Sequence, residues 1–148
     1  MTDMIPTKFD FNTVTGASSS AKPIARPLSS LRGCFADQAA FDAALAANDP
    51  MVDEYFDMGV PETDGNVAYG TTSIKPGKIG DEYYLTKGHF HTVLDTAEVC
   101  YCLSGLGGMM METPEGRVEW RAMKTGDVVY VPGCRALGRS TYRRPGIS

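Results

Sequence analysis

The stretch Thr86-Lys87-Gly88-His89-Phe90-His91, followed by Glu98, decides how this chain reads. It holds both of the chain's 2 histidines. On a β-strand, side chains alternate, so His89 and His91 point to one face and Phe90 to the other. A turn through Leu94-Asp95-Thr96 brings Glu98, at the start of the next apolar run, back beside the imidazoles. Two imidazoles and a carboxylate on one face are a usual set for a catalytic divalent metal with open coordination positions.

Outward from this stretch the period is two. Met51 to Met58, Asn66 to Ile74 and Glu82 to Lys87 read as strands on the N-terminal side. Pro61-Glu62-Thr63-Asp64-Gly65 and Lys75-Pro76-Gly77-Lys78 are the turns between them. On the other side, Ala97 to Leu103 is apolar enough to read as a buried strand. Gly105 through Gly108 turns the chain, and Met109 to Thr113, Val118 to Met123 and Val128 to Val131 are further strands. Asp37 to Asn48 is the one helix: Asp37 suits the N-cap, Phe41, Ala44, Leu45 and Asn48 follow helical spacing, and Pro50 stops it. Short strands with frequent turn signals indicate an all-β sandwich or barrel. Small barrels of this kind hold ligands and metals at the barrel mouth.

A chain of 148 residues suits one domain. The chain reads as an extended arm over 1–32, a strand-rich domain over 33–132 and a tail of changed character over 133–148. A net charge of −4 gives no reason to expect nucleic acid as a partner. No run approaches the ~20 apolar residues of a membrane span, and the N-terminus lacks an apolar signal core. Cys34, Cys100, Cys102 and Cys134 form no Cys-x-x-Cys pair and are read as reduced, in a cytoplasmic protein. Cys100 and Cys102 are read as small buried hydrophobes, with a structural zinc site as the alternative. Met109-Met110-Met111 and Trp120 are read as core, Trp120 alternatively as interface. Arg135, Arg139, Arg143 and Arg144 are read as a solvated tail without strand alternation.

Several strings resemble the cupin-type glucose-6-phosphate isomerases, over about Phe9 to Pro132. They are Lys75-Pro76-Gly77-Lys78, Thr86 through His91, Ala97-Glu98-Val99, Gly105 through Gly108, Thr113-Pro114-Glu115-Gly116 and Gly126 through Pro132. The resemblance implies a double-stranded β-helix, or jelly roll, with one short N-terminal helix. It implies a homodimer that interconverts glucose 6-phosphate and fructose 6-phosphate. It also implies a divalent metal, iron or manganese with zinc as a further option, held by His89, His91 and Glu98. Thr72, Thr86 and Gly88 then belong to the sugar-phosphate pocket, where hydroxyls and a glycine amide donate to phosphate oxygens. Glu98 is the candidate to shuttle a proton between C1 and C2; a hydride shift is the competing mechanism. Another cupin chemistry, such as an iron-dependent dioxygenase, and a non-catalytic sugar-phosphate-binding remnant are the alternatives.

The sequence departs from the family in three places. Cys100 stands where the family commonly has tyrosine, and Asp53 replaces a substrate-side tyrosine. After Val131-Pro132 the family continues with an Ala-His-Arg segment whose histidine is a fourth ligand; this sequence continues Gly133-Cys134-Arg135-Ala136. The expectation is a jelly roll incomplete at its C-terminus, with weakened activity. The abrupt change of character suggests the hypothesis of a reading-frame change near Gly133. Gene sequence in which no one-base shift restores an Ala-His-Arg segment would rule it out.

Overall fold

The helix forms where Asp37 closes its first turn. In the computed structural model, which describes residues 6–89, 91, 93 and 95–133 and the backbone of 136–141, helix α1 spans Gln38–Ala47. The Ala40 amide donates to Asp37 Oδ1 at 2.9 Å, satisfying one of the helix's orphan N–H groups. Phe41 is fully buried, and Ala40, Ala44 and Leu45 pack beside it. Burial of one such aromatic contributes about 2–3 kcal/mol. Asn48 is extended and ends the helix, two residues before Pro50.

Beyond Pro50 the regular elements among the described residues are all strands. Among the described residues the strands are β1 (Pro23–Pro27), β2 (Met51–Asp57), β3 (Gly70–Ile74), β4 (Lys78–Ile79) and β5 (Glu82–Tyr83). They continue as β6 (Glu98–Tyr101), β7 (Leu106–Glu112), β8 (Val118–Lys124), β9 (Val128–Val131) and β10 (Ala136–Thr141). They pair as β1-β2-β3, β4-β5, β6-β9 and β10-β7-β8, with every pairing antiparallel. This is the all-β architecture that the turn spacing indicates, with one α-helix among the described residues, and it is consistent with the cupin-like fold that the resemblance implies. Two cores hold it together. Leu28, Leu31, Phe35, Phe41, Val52 and Ile79 form one; Met109, Met111 and Val131 form the other.

The structure corrects the sequence reading in several places. The described part of the arm expected over 1–32 packs against the domain. Its second half supplies β1 and a 3-10 turn whose Leu28 and Leu31 lie in the first core. Its first half docks through Phe9 and Phe11, which approach the Tyr69 ring with centroids at 5.7 and 6.4 Å. The strand expected over 66–74 begins only at Gly70. A Cβ there would run into the Tyr55 ring and the Phe56 carbonyl, so β3 lies close against β2 from that point on.

Ala97 to Leu103 is not a buried strand. β6 is half-buried on one face, while Val99 and Tyr101 are exposed on the other. The same face of its partner β9 is also exposed at Val128 and Tyr130, so no layer among the described residues covers that side of the two-stranded ribbon. The glycines after Gly105 are strand rather than turn, because Trp120 on β8 lies over Gly108 and fills the space a side chain would take. Met109 and Met111 are core as expected, while Met110 between them is exposed. Residues 136–141 are a strand on β7, with Ala136 opposite Glu112 and Thr141 opposite Gly107. The edge of β7 offers a row of unpaired backbone groups, and extended backbone satisfies it without side-chain alternation. Cys134, Arg135, Arg143 and Arg144 lie outside the described residues, as does Phe90.

Candidate functional site

β6 and the segment before it build the site. Glu98 opens β6 opposite Val131 of β9, which is buried in the second core. Its carboxylate is therefore anchored from behind by packed backbone. Glu98 Oε2 lies 3.3 Å from His91 Nε2, both side chains being largely enclosed. That nitrogen is buried and makes no hydrogen bond among the described residues. The His89 and His91 rings meet edge-on with centroids 5.7 Å apart. Cys100, two residues along the same strand face, donates its thiol hydrogen to Glu98 Oε1 at 2.7 Å. A nearby turn, in which the Thr96 amide donates to the Val93 carbonyl, returns the chain toward Glu98. Gly133 closes this loop from the other side: a Cβ there would strike the Asp95 carbonyl.

These residues line an open cleft of about 1980 Å³, with Thr72, Thr86, His89, His91, Glu98 and Cys100 among its walls. It exceeds the roughly 300–1,000 Å³ of an ordinary closed ligand pocket. Thr86 is buried and Thr72 half-buried. Thr72 pairs across β3 with Tyr55 of β2, on the sheet face that also carries Arg26 and Asp53. The neighbouring Thr71 hydroxyl is engaged elsewhere, donating to the Gly16 carbonyl. Gly88 is exposed and not part of the cleft wall; Lys87 is exposed and borders the cleft.

The structure thus brings His91, Glu98 and His89 together, with Thr72 and Thr86 on the same cleft. Among the described residues no three His, Cys, Asp or Glu side chains stand in metal-holding geometry as they are. The donor chemistry nevertheless suits a divalent cation. A buried imidazole nitrogen without a hydrogen bond costs free energy, and a cation shared with the adjacent carboxylate would satisfy both.

Two features escaped sequence reasoning. Cys100 is no mere hydrophobe, as the spacing of two from Glu98 on one strand could have indicated. Asp53 is fully buried and paired with Arg26 Nη1 at 2.9 Å. Their positions directly opposite in the β1–β2 register become visible only once the arm is known to be a strand.

The family model described as glucose-6-phosphate isomerase (GPI) matches residues 25–135. The chain belongs to the glucose-6-phosphate isomerase family. Similar relatives carry that name. The protein of Thermococcus gammatolerans is 46% identical over 118 residues, covering 80% of this chain and 62% of its own length. That of Pyrococcus abyssi is 43% identical over 125 residues, covering 84% and 65%. A bacterial relative from Sinorhizobium medicae is 41% identical over 120 residues, covering 80% and 56%. The chain therefore spans less than two thirds of the length of these relatives. No helix among the described residues is long and apolar enough to cross a membrane.

Proposed function

We propose that this chain is a metal-dependent aldose–ketose isomerase that interconverts glucose 6-phosphate and fructose 6-phosphate in glycolysis and gluconeogenesis, in the cytoplasm. The observation that carries the reading is the buried, unbonded His91 Nε2 beside Glu98 Oε2, on the cleft that also presents Thr72 and Thr86. His89, His91 and Glu98 would hold the divalent ion, iron or manganese by the character of the donors. When bound, such an ion polarises the substrate's adjacent oxygens and stabilises the charge of an enediol-like state.

The chain's own residues supply the rest. The Thr72 and Thr86 hydroxyls bind phosphate oxygens, orienting the sugar across the cleft. Glu98 takes the proton from C2 of the open-chain aldose and returns it to C1, while the O2 hydroxyl proton passes to O1 through the enediol, so that the C1 carbonyl becomes a hydroxyl as C2 becomes the carbonyl. The exposed apolar face of β6 and β9, formed by Val99, Tyr101, Val128 and Tyr130, supports a homodimer that covers it.

The test is conversion of fructose 6-phosphate to glucose 6-phosphate by the purified chain, with Mn²⁺ or Fe²⁺ added and with chelator. Turnover that rises with metal, disappears with chelator and is lost in His91→Ala is expected. Turnover indifferent to chelator, or no turnover by protein shown to be folded, overturns the proposal.

A further inference from the structure

We infer that Cys100 is a positioning residue for Glu98, its thiol holding one carboxylate oxygen so that the other faces the imidazoles. The inference rests on the metal-dependent reading above and deepens it. Glu98 and Cys100 share a face of β6, and Sγ donates to Oε1 at 2.7 Å. The opposite oxygen, Oε2, is the one 3.3 Å from His91 Nε2. A glutamate side chain has three rotatable bonds and loses much freedom when fixed. A donor on Oε1 is a direct way to fix it, and partners of this kind are what orient ligating carboxylates.

Cys100 is itself seated. It packs against the core of Met109, Met111 and Val131, and its backbone pairs with Val129 of β9. The side chain therefore spans from a packed apolar wall to the carboxylate, and the rigidity of that wall passes to the site. Serine would keep the donor at nearly the same place. Alanine would remove it, and valine would fill the space without donating.

The experiment measures Mn²⁺ affinity from the electron paramagnetic resonance signal of free Mn²⁺, for wild type, Cys100→Ser, Cys100→Ala and Cys100→Val. Thermal melting of each metal-free variant controls for folding, and the valine variant stands in should alanine loosen the core. Affinity about 10–100-fold weaker in the two donor-less variants, restored in Cys100→Ser, is expected. Unchanged affinity in Cys100→Ala and Cys100→Val overturns the inference and leaves the metal reading standing. The Co²⁺-loaded wild type should lack a sulfur-to-cobalt charge-transfer band. A band that disappears in Cys100→Ser overturns positioning in favour of direct ligation by the thiolate. Wild-type protein that binds no Mn²⁺ overturns the metal reading itself, and this inference with it.

Discussion

Arg26 and Asp53 make a pair whose two halves should fail unequally. The Asp53 side chain is 0% exposed, while that of Arg26 is 36% exposed, and they meet at 2.9 Å. The Arg26 guanidinium also lies over the Tyr55 ring, 5.8 Å from its centroid. Arg26→Met removes the counter-ion from a carboxylate that has no access to water. Stripping one partner from a buried pair costs about 3–5 kcal/mol. Asp53→Asn leaves a guanidinium that can turn into solvent, so only a charge-assisted hydrogen bond is lost, roughly 1.5–2 kcal/mol. With an m-value of about 2 kcal/mol per molar urea, the unfolding midpoint falls by about 2 M for Arg26→Met and by about 1 M or less for Asp53→Asn. Urea titrations followed by Trp120 fluorescence read both. The double variant should be milder than the sum, because the second change removes the charge that the first strands. An Asp53→Asn cost equal to or above that of Arg26→Met would refute this reasoning, since the asymmetry follows directly from the exposures.

Three further outcomes are expected. Asp37→Ala removes the cap on α1 and should lower stability by about 1 kcal/mol, read as a Tm drop of about 2–4 °C in calorimetry. Burial first, and then the nearby Asp127 charge, pushes the Cys102 thiol up from its ordinary value. A raised folded-state pKa gives stability that is complete below the unfolded value and is lost as pH rises through the folded one. Melting temperature should therefore decline on the alkaline side, beginning near pH 9.0, and Cys102→Ser should flatten that part of the profile. Tyr130→Asp puts a charge in the exposed β6–β9 face and should break the proposed homodimer, read as a monomer in analytical ultracentrifugation with an unchanged far-UV circular dichroism spectrum.

The helix and the site announce themselves through local rules. Asp37, Phe41 and Pro50 specify a start, a face and a stop within one short segment, so neighbouring residues carry all the information. His89, His91 and Glu98 carry their chemistry in their identities and their placement in two nearby extended segments. What escaped reading depends on distant partners. Val99 and Tyr101 look like core because apolar residues occupy both faces of β6; whether a second layer covers the outer face is decided elsewhere in the chain. Asp53 sits among strand residues, and only the pairing of β1, read as an extended arm, shows that a cation stands opposite. The Gly107-Gly108 pair has turn composition and becomes strand because Trp120, on the next strand, fills the space above Gly108.

The seat of β10 beside β7 also bears on how such a chain changes over generations. Six residues whose sequence departs from the family pattern occupy a place in the sheet through main-chain hydrogen bonds. Every amino acid except proline brings the same donor and acceptor to that ladder. Selection on side chains is therefore weak at such an edge. A non-proline substitution within 136–141 leaves this ladder its donors and acceptors, whereas a change at Glu98 or Val131 removes a side chain from the site or the core.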